Sequence, residues 1–135
     1  MKKIILFTLL SMTFAMGQIE NIWATPTYVK QEIKIIDIRT PREWKETGII
    51  KGSYLMMFFD EKGHFNLEAF LLDLNKIIKK DEKFALICRV GSRTNSVANF
   101  LSSKLNYNVV NLKGGIMKII KEGYKTVPYP LSSKN

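Results

Sequence analysis

The chain has 135 residues and a formal net charge of +9, with 46% hydrophobic and 24% charged residues. That length suits one domain with one core, and the composition excludes a disordered or low-complexity chain. The lysines of "VKQEIKII", "NKIIKKDEK" and "GIMKIIKEGYK" interleave with acids or with helical apolar positions. They read as solvated helix faces, and without an aromatic–basic motif no nucleic-acid partner is expected.

The first element is not part of the fold. "MKK" supplies positive charge, "IILFTLLSMTFA" an uncharged apolar stretch, and Ala15-Met16-Gly17 small residues before a cut ahead of Gln18. This is the order of a secretory signal peptide over residues 1–17. The apolar run falls short of the roughly 20 residues that span a bilayer, so no stable membrane insertion is expected after cleavage. The exported chain is then residues 18–135, one domain, and its net charge falls to +7 because two lysines and no acids leave.

Beyond that point short apolar runs alternate with amphipathic stretches. "IKIIDI" (33–38) predicts a strand buried on both faces. "PREWKETG" follows as a short helix, with Pro41 at its first position and Gly48 at its C-terminal cap. "SYLMMFF" (53–59) predicts a second strand, closed by a turn at "DEKG", and His64 beside it is expected in a surface loop. Asn66 caps a helix that lines up Leu67, Phe70, Leu71, Leu74, Ile77 and Ile78 on one face. "KFALI" (83–87) is another buried strand, running into Cys88. A second strong helix, starting near Thr94, carries Val97, Leu101 and Leu105. "NVVNL" (108–112) is a strand, and Gly114-Gly115 turns the chain into a last helix. Regular alternation predicts an α/β fold: a mostly parallel sheet with helices on both faces. Ligands of such sheets bind beyond the C-terminal strand ends, where Cys88 lies.

Cys88 is the only cysteine. Exported proteins commonly pair cysteines as disulfides, so an unpaired one is either a partner in an intermolecular bond, a reactive thiol or an inert buried one. The residues after it favour reactivity. "RVGSR" reverses the chain within five residues, and Gly91 supplies the conformation such a turn needs. Consecutive N–H groups in a tight strand-to-helix turn form an anion nest, the helix start adds partial positive charge, and Arg89 and Arg93 add two full charges. All of these favour the thiolate, which is the nucleophilic form. The side chain of Cys88 is expected to emerge at the sheet edge. One cysteine and one histidine leave no ligand-like cluster, so neither metal nor organic cofactor is expected.

These segments carry a resemblance. "CRVGSRT" resembles the active-site loop of the rhodanese family, Cys-x-x-Gly-x-Arg-Ser/Thr; "IIDIRTPREWKETGIIKGS" resembles its upstream signature, and "VVNLKGGIMKIIKEGY" its closing segment. The resemblance implies a rhodanese-like fold and a sulfurtransferase using Cys88 as the nucleophile that becomes a persulfide. It implies that the amides of Arg89, Val90, Gly91, Ser92 and Arg93 hold the persulfide and the departing sulfite. Arg89 and Arg93 would orient thiosulfate, Thr94 would cap the following helix, and Asp37 and Arg39 would bond structurally beside the loop. The acceptor would be cyanide, a small thiol or a protein thiol, and the compartment the periplasm. Ile49, Ser53 and Ile119 depart from the family pattern without touching the nucleophile. Three other readings stay open: a non-enzymatic persulfide carrier, a redox-sensing thiol, and the phosphatase or arsenate-reductase branch of the fold. That last branch places five residues between cysteine and arginine, where this chain has four.

Overall fold

In this computed structural model residues 17–130 are described, so most of the expected signal peptide lies outside them. Five strands form one parallel sheet: β1 (Ile19–Trp23), β2 (Ile35–Asp37), β3 (Tyr54–Leu55), β4 (Phe84–Ile87) and β5 (Val109–Lys113), in the order β1-β5-β4-β2-β3. Among the described residues four helices accompany them: α1 (Pro41–Thr47), α2 (Leu67–Ile77), α3 (Ser92–Leu105) and α4 (Gly115–Lys121), with a 3₁₀ turn at Tyr28–Lys30.

The central strands are buried on both faces, and their side chains divide by parity. Ile36, Ile38, Phe84, Leu86, Cys88 and Val109 face α2 and α3, whose Phe70, Leu74, Val97, Ala98 and Leu101 complete that core. Ile35, Ala85, Ile87, Val110 and Leu112 face the other way, onto Ile116 and Ile119 of α4 and Val29 of the 3₁₀ turn. Each large side chain buried this way contributes about 1.5–3 kcal/mol. The face expected for α2 is the face it buries.

Two elements differ from expectation. β1 is an additional strand, which pairs in parallel with β5 from Ile19↔Val109 to Trp23↔Lys113. The run at 53–59 yields only the two residues of β3, at the sheet edge. Beyond it the chain stays beside β2, since the Met56 N–H donates to the Asp37 carbonyl at 3.0 Å and that of Phe58 to Ile38 at 3.1 Å. The apolar residues there serve an aromatic cluster instead, with Phe58 packed on Phe59, Phe65 and Phe70. His64 is exposed in the adjoining turn.

Among the described residues no helix is long and apolar enough to cross a membrane, and no three His, Cys, Asp or Glu side chains gather as a metal site would require.

Candidate active site

β4 ends at Ile87, and α3 begins at Ser92, so residues 88–91 make the whole turn. Gly91 is the N-cap, with φ 102° and ψ −9°. A side chain there would be strained by that φ, and its Cβ would meet the Gly114 nitrogen at 3.0 Å. The turn is also held from the side of α4. The Ile116 N–H donates to the Cys88 carbonyl at 2.9 Å, and that of Met117 to the Arg89 carbonyl at 3.1 Å. Gly115 permits this approach, because a Cβ on it would lie 2.4 Å from the Arg89 oxygen. In a planar trans peptide the N–H opposes the C=O. With both carbonyls turned onto α4, the N–H groups of Arg89 and Val90 therefore face away from it.

The Cys88 sulfur accepts the Gly91 N–H at 3.2 Å. Its other polar neighbour is the Thr94 hydroxyl at 3.5 Å, which also donates to the Gly91 carbonyl at 3.1 Å. Among residues 89–93 only the Gly91 amide makes a hydrogen bond to sulfur, a narrower cradle than a ring of five amides. Thr94 is not the helix cap. The left-handed Gly91 lets α3 start at Ser92, which places Thr94 in the first turn with its side chain against the sulfur.

Cys88 is 0% exposed, which corrects the expectation of a thiol emerging at the sheet edge. The reason is strand parity: Cys88 continues the row of Phe84 and Leu86, and α3 covers that row.

The arginines of the loop are not both free. Arg93 makes a two-pronged pair with Glu43 of α1, at 2.8 and 2.6 Å. Glu43 also accepts the Thr40 N–H at 3.1 Å in a capping box at the start of α1. Burial pushes the Glu43 carboxyl up, but the Arg93 and Thr40 hydrogen bonds and the Arg93 charge prevail and hold it at about 2. Arg93 is raised in turn, chiefly by its bond to Glu43, with the charges of Glu43, Cys88 and Asp37 adding to it against burial. Arg89 is half-exposed and stands 3.8 Å from Glu46. The cleft in front of these side chains, about 490 Å³, is lined by Arg42, Arg89 and Arg93 against Glu43, Glu46, Asp60 and Glu61. The mouth is thus a mixed-charge surface, not a purely cationic one.

Asp37 and Arg39 are both fully buried. Arg39 grips Asp37 through Nε at 2.9 Å and Nη2 at 2.8 Å, and reaches the end of α1 through the Thr47 hydroxyl at 2.6 Å and the Gly48 carbonyl at 3.0 Å. Ser92 is exposed at the helix start, and Val90 is exposed on the opposite flank of the loop.

The Glu43 partnership with Arg93 is not visible in the sequence. Thr40-Pro41-Arg42-Glu43 does carry the Thr-x-x-Glu signature of a capping box, so Glu43 was legible as a helix-start residue. Its bond to Arg93, fifty positions away, was not.

The Rhodanese-like domain family matches residues 25–122, and the chain belongs to that family. It is 29% identical over 104 residues to an uncharacterised protein of Rickettsia prowazekii, covering 72% of this chain and 83% of that one. Among solved structures it is similar to a rhodanese-related protein of Thermoplasma volcanium, at 27% identity and a TM-score of 0.59, covering 80% of this chain and 99% of that one. A Rhodopseudomonas palustris protein, a possible tyrosine phosphatase, shares the fold at 22% identity and a TM-score of 0.53, covering 75% of each chain.

Proposed function

We propose that the protein is a sulfurtransferase that moves sulfane sulfur from thiosulfate to cyanide or a thiol through a persulfide on Cys88, working in the periplasm after residues 1–17 are removed. The observation that carries this reading is the Gly91 N–H aimed at the Cys88 sulfur at 3.2 Å. A thiolate accepts that hydrogen bond better than a thiol does, and the start of α3 adds its partial positive charge.

The cycle has two displacements. The Cys88 thiolate attacks the outer sulfur of thiosulfate; the S–S bond breaks and its electron pair leaves with sulfite. The acceptor then attacks the outer sulfur of the persulfide, giving thiocyanate from cyanide or a new persulfide from a thiolate, and the Cys88 thiolate returns. Thr94 serves both states: its hydroxyl accepts from the thiol, and after ionisation it donates to the anion. Because Cys88 is sealed, the donor reaches it only as residues 89–92 part. Arg89, the more loosely held arginine, meets the incoming dianion, and Arg93 stays on Glu43.

That pair argues against the phosphatase branch. Its guanidinium fork is filled by a carboxylate, and the loop has four residues where that branch has five. One observation favours a persulfide carrier as the second reading: a sealed sulfur is well protected between loading and delivery.

Incubation with thiosulfate makes the wild-type protein one sulfur atom heavier by intact mass, and Cys88→Ser takes up none. Sulfur loaded onto the serine variant would overturn the mechanism. Steady-state thiocyanate formation separates the readings, since a carrier loads without turning over.

A further inference from the structure

The flank of the loop opposite Glu43 holds an open cleft of about 520 Å³, between the C-terminal ends of β1 and β5 and the first turn of α3. Its base contains an anomaly. Asn111 lies in the middle of β5, between Asn21 of β1 and Leu86 of β4. It is 2% exposed, on the sheet face where its strand neighbours Val109 and Leu86 belong to an apolar core. Its Nδ2 donates to Asn21 Oδ1 at 2.9 Å, but its Oδ1 has no partner. A buried oxygen left unpaired costs about 1–3 kcal/mol, and asparagine is a poor strand former. Rotating both amides by half a turn only changes which Asn111 atom is spare. A ligand peptide group, with both a donor and an acceptor, satisfies either arrangement.

The walls agree with such a ligand. Trp23 and Val90, 56% and 58% exposed, offer apolar surface. Lys113 stands 4.1 Å over the Trp23 ring, with the Lys118 ammonium 5.9 Å from the same ring. Asn95 adds a further amide, and no carboxylate lines the cleft. The other flank, by contrast, presents four. Gly91 and Val90 line this cleft on its loop side, and the Gly91 N–H is the group that touches the Cys88 sulfur.

We infer that this cleft is the acceptor subsite, which holds the amide-and-carboxylate body of a small peptide thiol on Asn111, Lys113 and Trp23 and presents its sulfur to the Cys88 loop. The inference rests on the sulfurtransferase reading for its role, whereas the binding it requires can be measured without sulfur chemistry.

The probe is S-methylglutathione, which carries the amides and carboxylates but no thiol, titrated into the full chain by calorimetry. Saturable binding is expected. Lys113→Gln, at the rim, weakens it about tenfold, the size of one charge-assisted hydrogen bond. Asn111→Leu removes the spare amide without leaving a buried polar atom, and weakens it at least as much. In turnover, the ratio of the KM for glutathione to the KM for cyanide rises in both variants, because cyanide has no body for the cleft to hold. If Asn111→Leu fails to fold, Lys113→Gln and Trp23→Ala decide. The subsite is overturned if S-methylglutathione does not bind, or binds these variants as it binds the wild type. Failure of the parent reading looks different: S-methylglutathione binds, yet thiosulfate never loads Cys88.

Discussion

Two arginine–carboxylate pairs meet at Glu43. Its backbone carbonyl accepts from Arg39 at 3.4 Å, while its side chain holds Arg93. In the Asp37–Arg39 pair both side chains are 0% exposed, and the guanidinium also ties the end of β2 to the end of α1. In the Glu43–Arg93 pair the side chains are 14% and 27% exposed, and Arg93 touches only the carboxylate. The first pair has all its donors used inside the protein and joins two elements permanently. The second spans the loop's mouth, where water reaches it. The same chemistry thus serves architecture in one place and electrostatic tuning in the other, and depth of burial makes the difference.

The sharpest way to break that contrast is to truncate each arginine. Arg39→Ala leaves Asp37 charged and unpaired in the interior, and the expected loss is about 3–5 kcal/mol, measured as a shift in the urea midpoint. Arg93→Ala should cost clearly less, because Glu43 keeps its bonds to Thr40 and its contact with water. Equal losses would mean that both pairs are structural.

Glu43→Gln sharpens the comparison from the carboxylate side. The amide keeps an acceptor for Thr40 but removes the charge facing Arg93, for a loss on the order of 1–2 kcal/mol at neutral pH after allowing for solvent screening. With its countercharge gone, Arg93 becomes available to an anion, and kcat/KM for thiosulfate should rise a few-fold. The pH dependence follows from the depressed carboxyl. The folded value of about 2 lies below the ordinary 4.5, so the unfolded chain binds the proton more readily. The contribution is complete above pH 4.5 and is lost as pH falls from 4.5 towards 2. Wild type should lose its advantage over Glu43→Gln across that window. A constant difference down to pH 2 would sink the assignment.

What could be read from the sequence follows the same division by depth. β4 and β5 stand out as "FALI" and "VVNL" because burial on both faces demands unbroken apolar residues. β1 did not: "IENIW" lies at an edge, its Glu20 and Asn21 face solvent, and only its pairing with β5 makes it a strand. Conversely "SYLMMFF" looked like a strand because it is apolar, while its phenylalanines pack into an aromatic cluster beside a two-residue edge strand. At the site, Cys88, Gly91 and the start of α3 are local and were legible from spacing. The sealing of Cys88 required counting strand parity together with the position of α3. Glu43–Arg93 and Asn21–Asn111 join residues fifty and ninety positions apart, which no local pattern encodes.

The smallest effect tests whether the mouth grades outward as the two pairs suggest. Arg89 and Glu46 stand 3.8 Å apart with side chains 43% and 46% exposed, and Glu46 is shared with Arg42 at 3.0 Å. A pair so exposed contributes little to folding, and Arg89→Gln should change stability by less than about 0.5 kcal/mol. Its effect belongs to the encounter with the donor instead. Thiosulfate KM should rise about threefold at low ionic strength, and the difference should shrink as salt shortens the reach of the charge to about 3 Å at 1 M. Cyanide, which in the proposed cycle arrives after loading and carries less charge, should feel the change less. A salt-independent defect would place Arg89 in direct contact with bound donor, and a large stability loss would place it with Arg39 in the framework.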